Sequence, residues 1–278
     1  MKINPRGVDK FVKISLNLQA FFTVGILVVI VLIIFFKGIK HFNLEFLLAF
    51  PEDMGRHGGI FPAIVGTVLL VLLSLIFATP LGIGTAIFLT EYTKESSFTK
   101  IIRFGVESLA GIPSIIYGLF GFIFFVIKLK MGWSLLAGAL TLTIMILPTI
   151  IRTSEEAIKA VPKNFRIVSY SLGATKWETT TKVVLPSAAP GILTGIMLSI
   201  GRAMGETAAV IFTMGSSLRL PTSLFDSGRT MAVHFYILAR EGISLEKAYA
   251  TALVLVLSIL FINVFAYYFM YRVISKYS

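Results

Sequence analysis

At 278 residues, 56% hydrophobic and only 14% charged, this chain carries more apolar surface than a water-soluble fold can cover. Its formal net charge of +11 comes from basic residues spread through short segments between apolar runs, which fits membrane orientation and excludes the single basic patch of a nucleic-acid-binding domain. Cysteine is absent, which rules out disulfides and thiolate chemistry.

A spanning helix needs about 20 apolar residues to cross a ~30 Å hydrocarbon core, and six runs meet that length. Lys2, Arg6, Lys10 and Lys13 precede the first, Leu18–Phe36. That run is longer than a signal-peptide core and lacks a small-x-small cleavage site, so it reads as a retained helix. The other predicted spans are Phe61–Leu89, Phe104–Ile127, Trp133–Ile151, Ser187–Gly215 and Ala248–Tyr271. Thr79-Pro80-Leu81-Gly82, Gly111-Ile112-Pro113 and Leu147-Pro148 interrupt them, each read first as an ordinary kink and otherwise as a break facing a cavity.

With both termini inside, the cytoplasmic segments hold fifteen Lys or Arg and the opposite loops nine, with Arg202 left within a span. The bias has the sign of the positive-inside rule, so both termini are predicted to be cytoplasmic. Two connections exceed the length a simple link needs: the cytoplasmic stretch from Arg152 to Lys182, with Pro162 and Gly173, and the external stretch from Ser216 to Lys247. His41, His57 and His234 fall outside the spans without ligand spacing and are expected at the surface. No metal site and no cofactor is predicted, and without a nucleophile or acid/base cluster the chain does not read as an enzyme.

The fifth span holds two ionisable residues, Arg202 and Glu206, and such residues cost a few kcal/mol each within a membrane and by default mark a pathway. At about 100° per residue, Gly191, Gly195, Ser199, Arg202, Glu206 and Thr213 share one small and polar face, while Leu193, Ile196, Ile200 and Ile211 point the other way. A guanidinium about 22 Å along this helix offers a permanent charge and a planar fork of donors suited to a tetrahedral oxyanion. Glu206, four residues on, is positioned to neutralise it while the path is empty. A buried pair that only fixes helix packing is the competing reading.

The run Arg166–Pro190, RIVSYSLGATKWETTTKVVLPSAAP, resembles the cytoplasmic signature of ABC importer permeases, with Gly173, Ala174, Leu185 and Pro186 matching and Ile167-Val168-Ser169 standing where a Glu-Ala-Ala triplet is expected. The resemblance implies a short coupling helix that fits a groove in an ATPase subunit, and Trp177 is a suitable aromatic anchor there. Further runs are similar to the phosphate-specific permeases, to the PstA type more than to its PstC sister: GGIFPAIVGT (58–67), PLGIGTAIFLTEY (80–92), LAGIPSIIYGLFG (109–121), RTSEEAIKAVP (152–162) and GRAMGETAAVIFT (201–213).

This likeness implies an all-α integral membrane fold: six spans, a type I (MetI-like) importer core over 58–278, and an accessory helix within 1–57. Residues 152–186 are then the coupling segment. Arg202 and Glu206, with Ser199 and Thr207 beside them, would line the substrate path. The implied partners are a second homologous permease, ATP-binding subunits, an extracytoplasmic phosphate-binding protein, inorganic phosphate and membrane lipid, with no nucleic acid. No G-x-x-x-x-G-K-[ST] motif occurs, so ATP hydrolysis is expected in a partner chain. A sulfate or molybdate permease is the near alternative. An ion-coupled secondary transporter is a distant one, because only Glu206, paired with Arg202, lies deep in a span, and Glu107 is near an inner edge, four residues after Arg103.

Overall fold

The computed structural model describes residues 5–274, with side chains from 12 to 268 and that of Arg272. Lys2 and Lys276, counted above for orientation, lie outside the described residues, as do the side chains of Arg6 and Lys10.

The chain is helical almost throughout. The first helix, α1 (Pro5–Gly38), meets the rest chiefly at its end, where an added Cβ on Gly38 would lie 2.6 Å from the Tyr249 carbonyl oxygen and Lys37 Nζ sits 4.8 Å from the Tyr249 ring centre. A short α2 (Leu44–Leu48), capped by Asn43, and a two-residue hairpin of β1 (Pro51–Glu52) with β2 (His57–Gly58) follow. Next comes α3 (Phe61–Ile87), with Pro62 in its first turn, where a missing N–H removes no helical bond. A wider π-type turn extends α3 from Phe88 to Tyr92.

The third predicted span does not run straight: α4 (Ser97–Ala110) and α5 (Ser114–Gly121, continued by a π-type segment to Lys128) meet at 101°. Pro113 lacks an N–H and disfavours helical backbone at Ile112, so α4 stops at Gly111. Tyr117 then folds back and donates its hydroxyl to the Leu109 carbonyl at 2.6 Å, satisfying an acceptor freed by the break. Pro80 and Pro148 behave differently, lying inside α3 and α6 (Leu135–Ala160) without ending either helix.

Capped by Ser134, α6 runs nine residues beyond the predicted Ile151, so the first part of the expected cytoplasmic loop is helix. Ile151, Ser154, Glu155 and Ile158 continue its buried face, and Lys159 pairs with Glu155 one turn away at 2.8 Å. Beyond it lie α7 (Lys163–Ser171), α8 (Lys176–Thr179), a π-type turn to Val184 and α9 (Leu185–Met204).

The fifth span, predicted as one helix to Gly215, ends at Met204 and restarts as α10 (Ala208–Thr213). After a loop, α11 (Met231–Arg240) and α12 (Leu245–Ile274) follow. Five helices are long and apolar enough to cross a membrane, or six if the bent α4–α5 pair counts as one span.

The main core lies between α3, α6, α10 and α11, around Leu70, Leu142, Met145, Ile146, Ile150 and Met214. A second cluster joins Ala86, Ile158, Val161, Val184, Ala188 and Ile192 beneath α7 and α8. The small face of α9 presses on α6: a Cβ added at Gly191 would meet Ala157 at 2.6 Å, and one at Gly195 would collide with Thr153. Small residues at four-residue spacing permit this approach and the packing gain it brings.

Candidate functional site

Arg202 occupies the last turn of α9, where the negative end of the helix dipole favours a cation. Its side chain is exposed and forms no hydrogen bond or ion pair with any described residue. The expected neutralisation by Glu206 is corrected by the fold. Because α9 stops at Met204, Glu206 is not one turn above Arg202, and its Oε1 instead accepts the Ala209 N–H at 3.2 Å, capping α10.

Thr207 is half-buried in the same break, its Oγ1 donating at 3.4 Å to the Gly205 carbonyl. Ser199 sits elsewhere: it is fully buried and donates to the Gly195 carbonyl at 2.9 Å, so it belongs to the α9–α6 contact. Thr213 is likewise buried, bonded to the Ala209 carbonyl. The break therefore gathers Arg202, Glu206 and Thr207 and leaves Ser199 and Thr213 in the packed interior.

The surroundings give the break its setting. On α5, Gly118 approaches α10 so closely that a Cβ there would lie 2.9 Å from Ala209 Cα, and Tyr117 is near enough for the Arg202 charge to act on it. Two helix interruptions, 111–113 and 205–207, thus flank one guanidinium. Irregular backbone at membrane depth is stable only where protein or a water-filled cavity receives it.

At the other end, α7 and α8 form a compact corner. Gly173 adopts φ +83°, and Gly173 and Ala174 donate to the Tyr170 and Ser169 carbonyls, a left-handed helix stop that strains any residue with a Cβ. Thr175 and Glu178 cap each other reciprocally at the start of α8, and Ser169 and Thr179 share a 2.8 Å hydroxyl bond that ties the two helices.

The corner presents Leu172 at 83% exposure and Trp177 at 64%, with Phe165, Ile167 and Val168 also open. Ala174 lines a shallow apolar groove with Asn164, Val168 and Val183. Leu185 packs into the second core cluster, so it anchors the corner from behind, and Pro186 is exposed in the first turn of α9.

Two polar clusters escaped sequence reading. Arg166 on α7 grips Glu91, 75 residues away, at 2.6 Å, and Arg103 on α4 holds Glu155 on α6 at 2.9 Å. No spacing rule joins residues so far apart; the only signal was that Glu91 and Arg166 fall at the edges of two of the runs quoted above.

His234 is a correction. Expected at the surface, it is 1% exposed on α11, with its Nδ1 3.3 Å from Arg229 Nη1. Burial, and then the Arg229 charge, push its pKa down to about 3, so it is neutral and its Nδ1 accepts from the guanidinium. Arg229 is also buried and donates from Nε to the Ser216 carbonyl at 2.9 Å; burial lowers its pKa to about 10, leaving it charged near neutrality. His41 lies 3.5 Å from Glu246, and His57 is exposed. Among the described residues no three His, Cys, Asp or Glu gather as metal ligands.

Residues 78–277 match the family described as binding-protein-dependent transport system inner membrane component. A probable ABC transporter permease of Bacillus subtilis, YqgI, is 32% identical over 95% of each chain. The phosphate transport system permease protein PstA of Pasteurella multocida is 37% identical, covering 83% of this chain and 82% of its own. Among solved structures, a chain of a bacterial alginate ABC transporter superposes with a TM-score of 0.71 at 16% identity, covering 96% of both chains.

Proposed function

Because this chain belongs to the family of binding-protein-dependent transport system inner membrane components, we propose that it is one of two permease subunits of an ATP-driven importer of inorganic phosphate. The carrying observation is Arg202: a permanent cation beside a broken span, without a hydrogen-bond or ion-pair partner among the described residues. A bare guanidinium facing lipid costs at least ~2.5–3.5 kcal/mol, so it fits a polar path shared with a second subunit. The likeness to a phosphate permease supports phosphate as the anion that enters that path.

In this reading both termini are cytoplasmic, residues 58–278 form the permease core, and 152–186 is the coupling segment. A homologous permease completes the path opposite Arg202, an extracytoplasmic phosphate-binding protein delivers the anion, and two ATP-binding subunits dock on the cytoplasmic loops of the permease pair, one of them on the apolar corner of α7 and α8. Arg202 receives the phosphate through its donor fork. Glu206, with Oε1 engaged by Ala209, has its second oxygen free to accept the proton that phosphate carries near neutral pH and sulfate lacks. Closure of the ATP-binding subunits then shifts the corner and switches access from one side to the other, a rigid-body transition between two states.

The test is ATP-dependent phosphate uptake by vesicles holding the complete importer. Arg202→Gln is expected to cut uptake about a hundredfold, the scale of ~2.7 kcal/mol in transition-state binding, while the subunits still co-purify. Uptake at the wild-type rate would exclude Arg202 from the path.

A further inference from the structure

The α7 helix is fastened unusually for a surface element. Phe165, Ile167, Val168 and Tyr170 are exposed, and Ser169, 9% exposed, is its one buried residue. Apolar packing alone therefore fixes its orientation poorly. What fixes it is the Arg166 guanidinium.

Nε and Nη2 of Arg166 both grip Oε1 of Glu91, at 3.1 and 2.6 Å, while Nη1 donates to the Val161 carbonyl at 2.9 Å and Nη2 to the Ile158 carbonyl at 3.0 Å. Glu91 is 6% exposed and Arg166 17%. Glu91 ends the turn that extends α3, and Ile158 and Val161 lie at the C-terminal end of α6. One planar group thus joins three helices, which a lysine's point charge cannot reproduce.

We propose that the Glu91–Arg166 pair is the pin that makes α7 move as one body with α3 and α6, converting displacement of the corner into movement at the path. This deepens the importer reading and rests on it. The onward route is packed: α6 meets α9 where Thr153 abuts Gly195, and α9 carries Arg202 two turns further on. Buried ion pairs contribute little net stability compared with an apolar replacement, whereas their directional bonds fix geometry, so Glu91 and Arg166 act as positioning residues.

The experiment uses the complete reconstituted importer and compares wild type with Glu91→Gln, Arg166→Lys and the exchange Glu91→Arg with Arg166→Glu. It measures ATP hydrolysis, anion moved per ATP, and retention of the ATP-binding subunits. In both single variants the subunits are expected to stay bound and hydrolysis to persist within about twofold, while anion moved per ATP falls about tenfold. Partial recovery of that ratio in the exchange variant, which restores the Glu–Arg contact and not the bonds to the Ile158 and Val161 carbonyls, would support the pin directly.

An unchanged ratio overturns the proposal. So does parallel loss of hydrolysis and transport, or loss of the ATP-binding subunits, since the pair would then only shape the docking surface. The ratio is measured with the anion that the wild-type importer carries. Wild type failing to move phosphate therefore overturns the substrate assignment alone, and the variants still decide the pin.

Discussion

At the scale of single residues, Glu206 and His234 carry the sharpest consequences. Glu206 is held in place by the Ala209 N–H, so the role proposed for it as acceptor for a protonated anion is separable from folding. Glu206→Gln keeps the shape and the cap and loses the ability to select a protonated oxyanion. Uptake competition is expected to show phosphate preference over sulfate falling about tenfold, ~1.4 kcal/mol, and an unaltered preference would remove Glu206 from selectivity.

His234 makes a prediction about acid stability. The folded imidazole titrates near 3 against an ordinary value of 6.5, so below 6.5 the unfolded chain binds a proton that the folded chain refuses. Stability is therefore complete above about pH 6.5 and declines as the pH drops toward 3, at up to ~1.4 kcal/mol per pH unit. Melting temperatures of purified protein across this range should fall less steeply in His234→Gln. The sequence concealed this residue because a histidine in a polar-looking loop gives no sign that Gly55, Thr67 and Ser216 will close around its neighbourhood.

Among elements, the long apolar helices were legible and their interruptions were not. Pro80 and Pro148 read as kinks of the same strength as Pro113, yet only Pro113 has a glycine two residues before it and a Tyr117 hydroxyl to hold the bend. Gly205-Glu206-Thr207 continues the helical period of its neighbours and so hid the end of α9. The turn between α7 and α8 was legible through Gly173, because a positive φ at a helix stop is what glycine supplies. Its fastening was not, since Arg166 and Glu91 meet only in three dimensions.

Two predictions belong at this scale. Leu172→Asp places a charge on the most exposed apolar tip and is expected to release the ATP-binding subunits on co-purification while the permease still folds. Gly195→Val overfills the Thr153 contact and should lower the melting temperature, since overpacking costs ~1–3 kcal/mol. Normal melting of Gly195→Val would show that α9 and α6 separate freely.

For the whole molecule, orientation is what the excess of fifteen against nine basic residues predicts, with both termini cytoplasmic. The absence of cysteine makes it directly measurable. A single Met54→Cys, on the exposed hairpin turn, is expected to react with a membrane-impermeant thiol reagent added to intact cells, and Leu172→Cys only after the membrane is opened. The reverse pattern would invert the topology and the proposed direction of transport.

Helix α1 has a further bearing on how the chain is handled. From residue 12 to 36 its flanks stand almost entirely bare, with Phe21, Phe22 and Phe36 each more than half open. Such a rod needs company. Produced alone, the polypeptide should soak up surplus detergent and clump with its own kind, and yield should rise when its cognate subunits are made in the same cell.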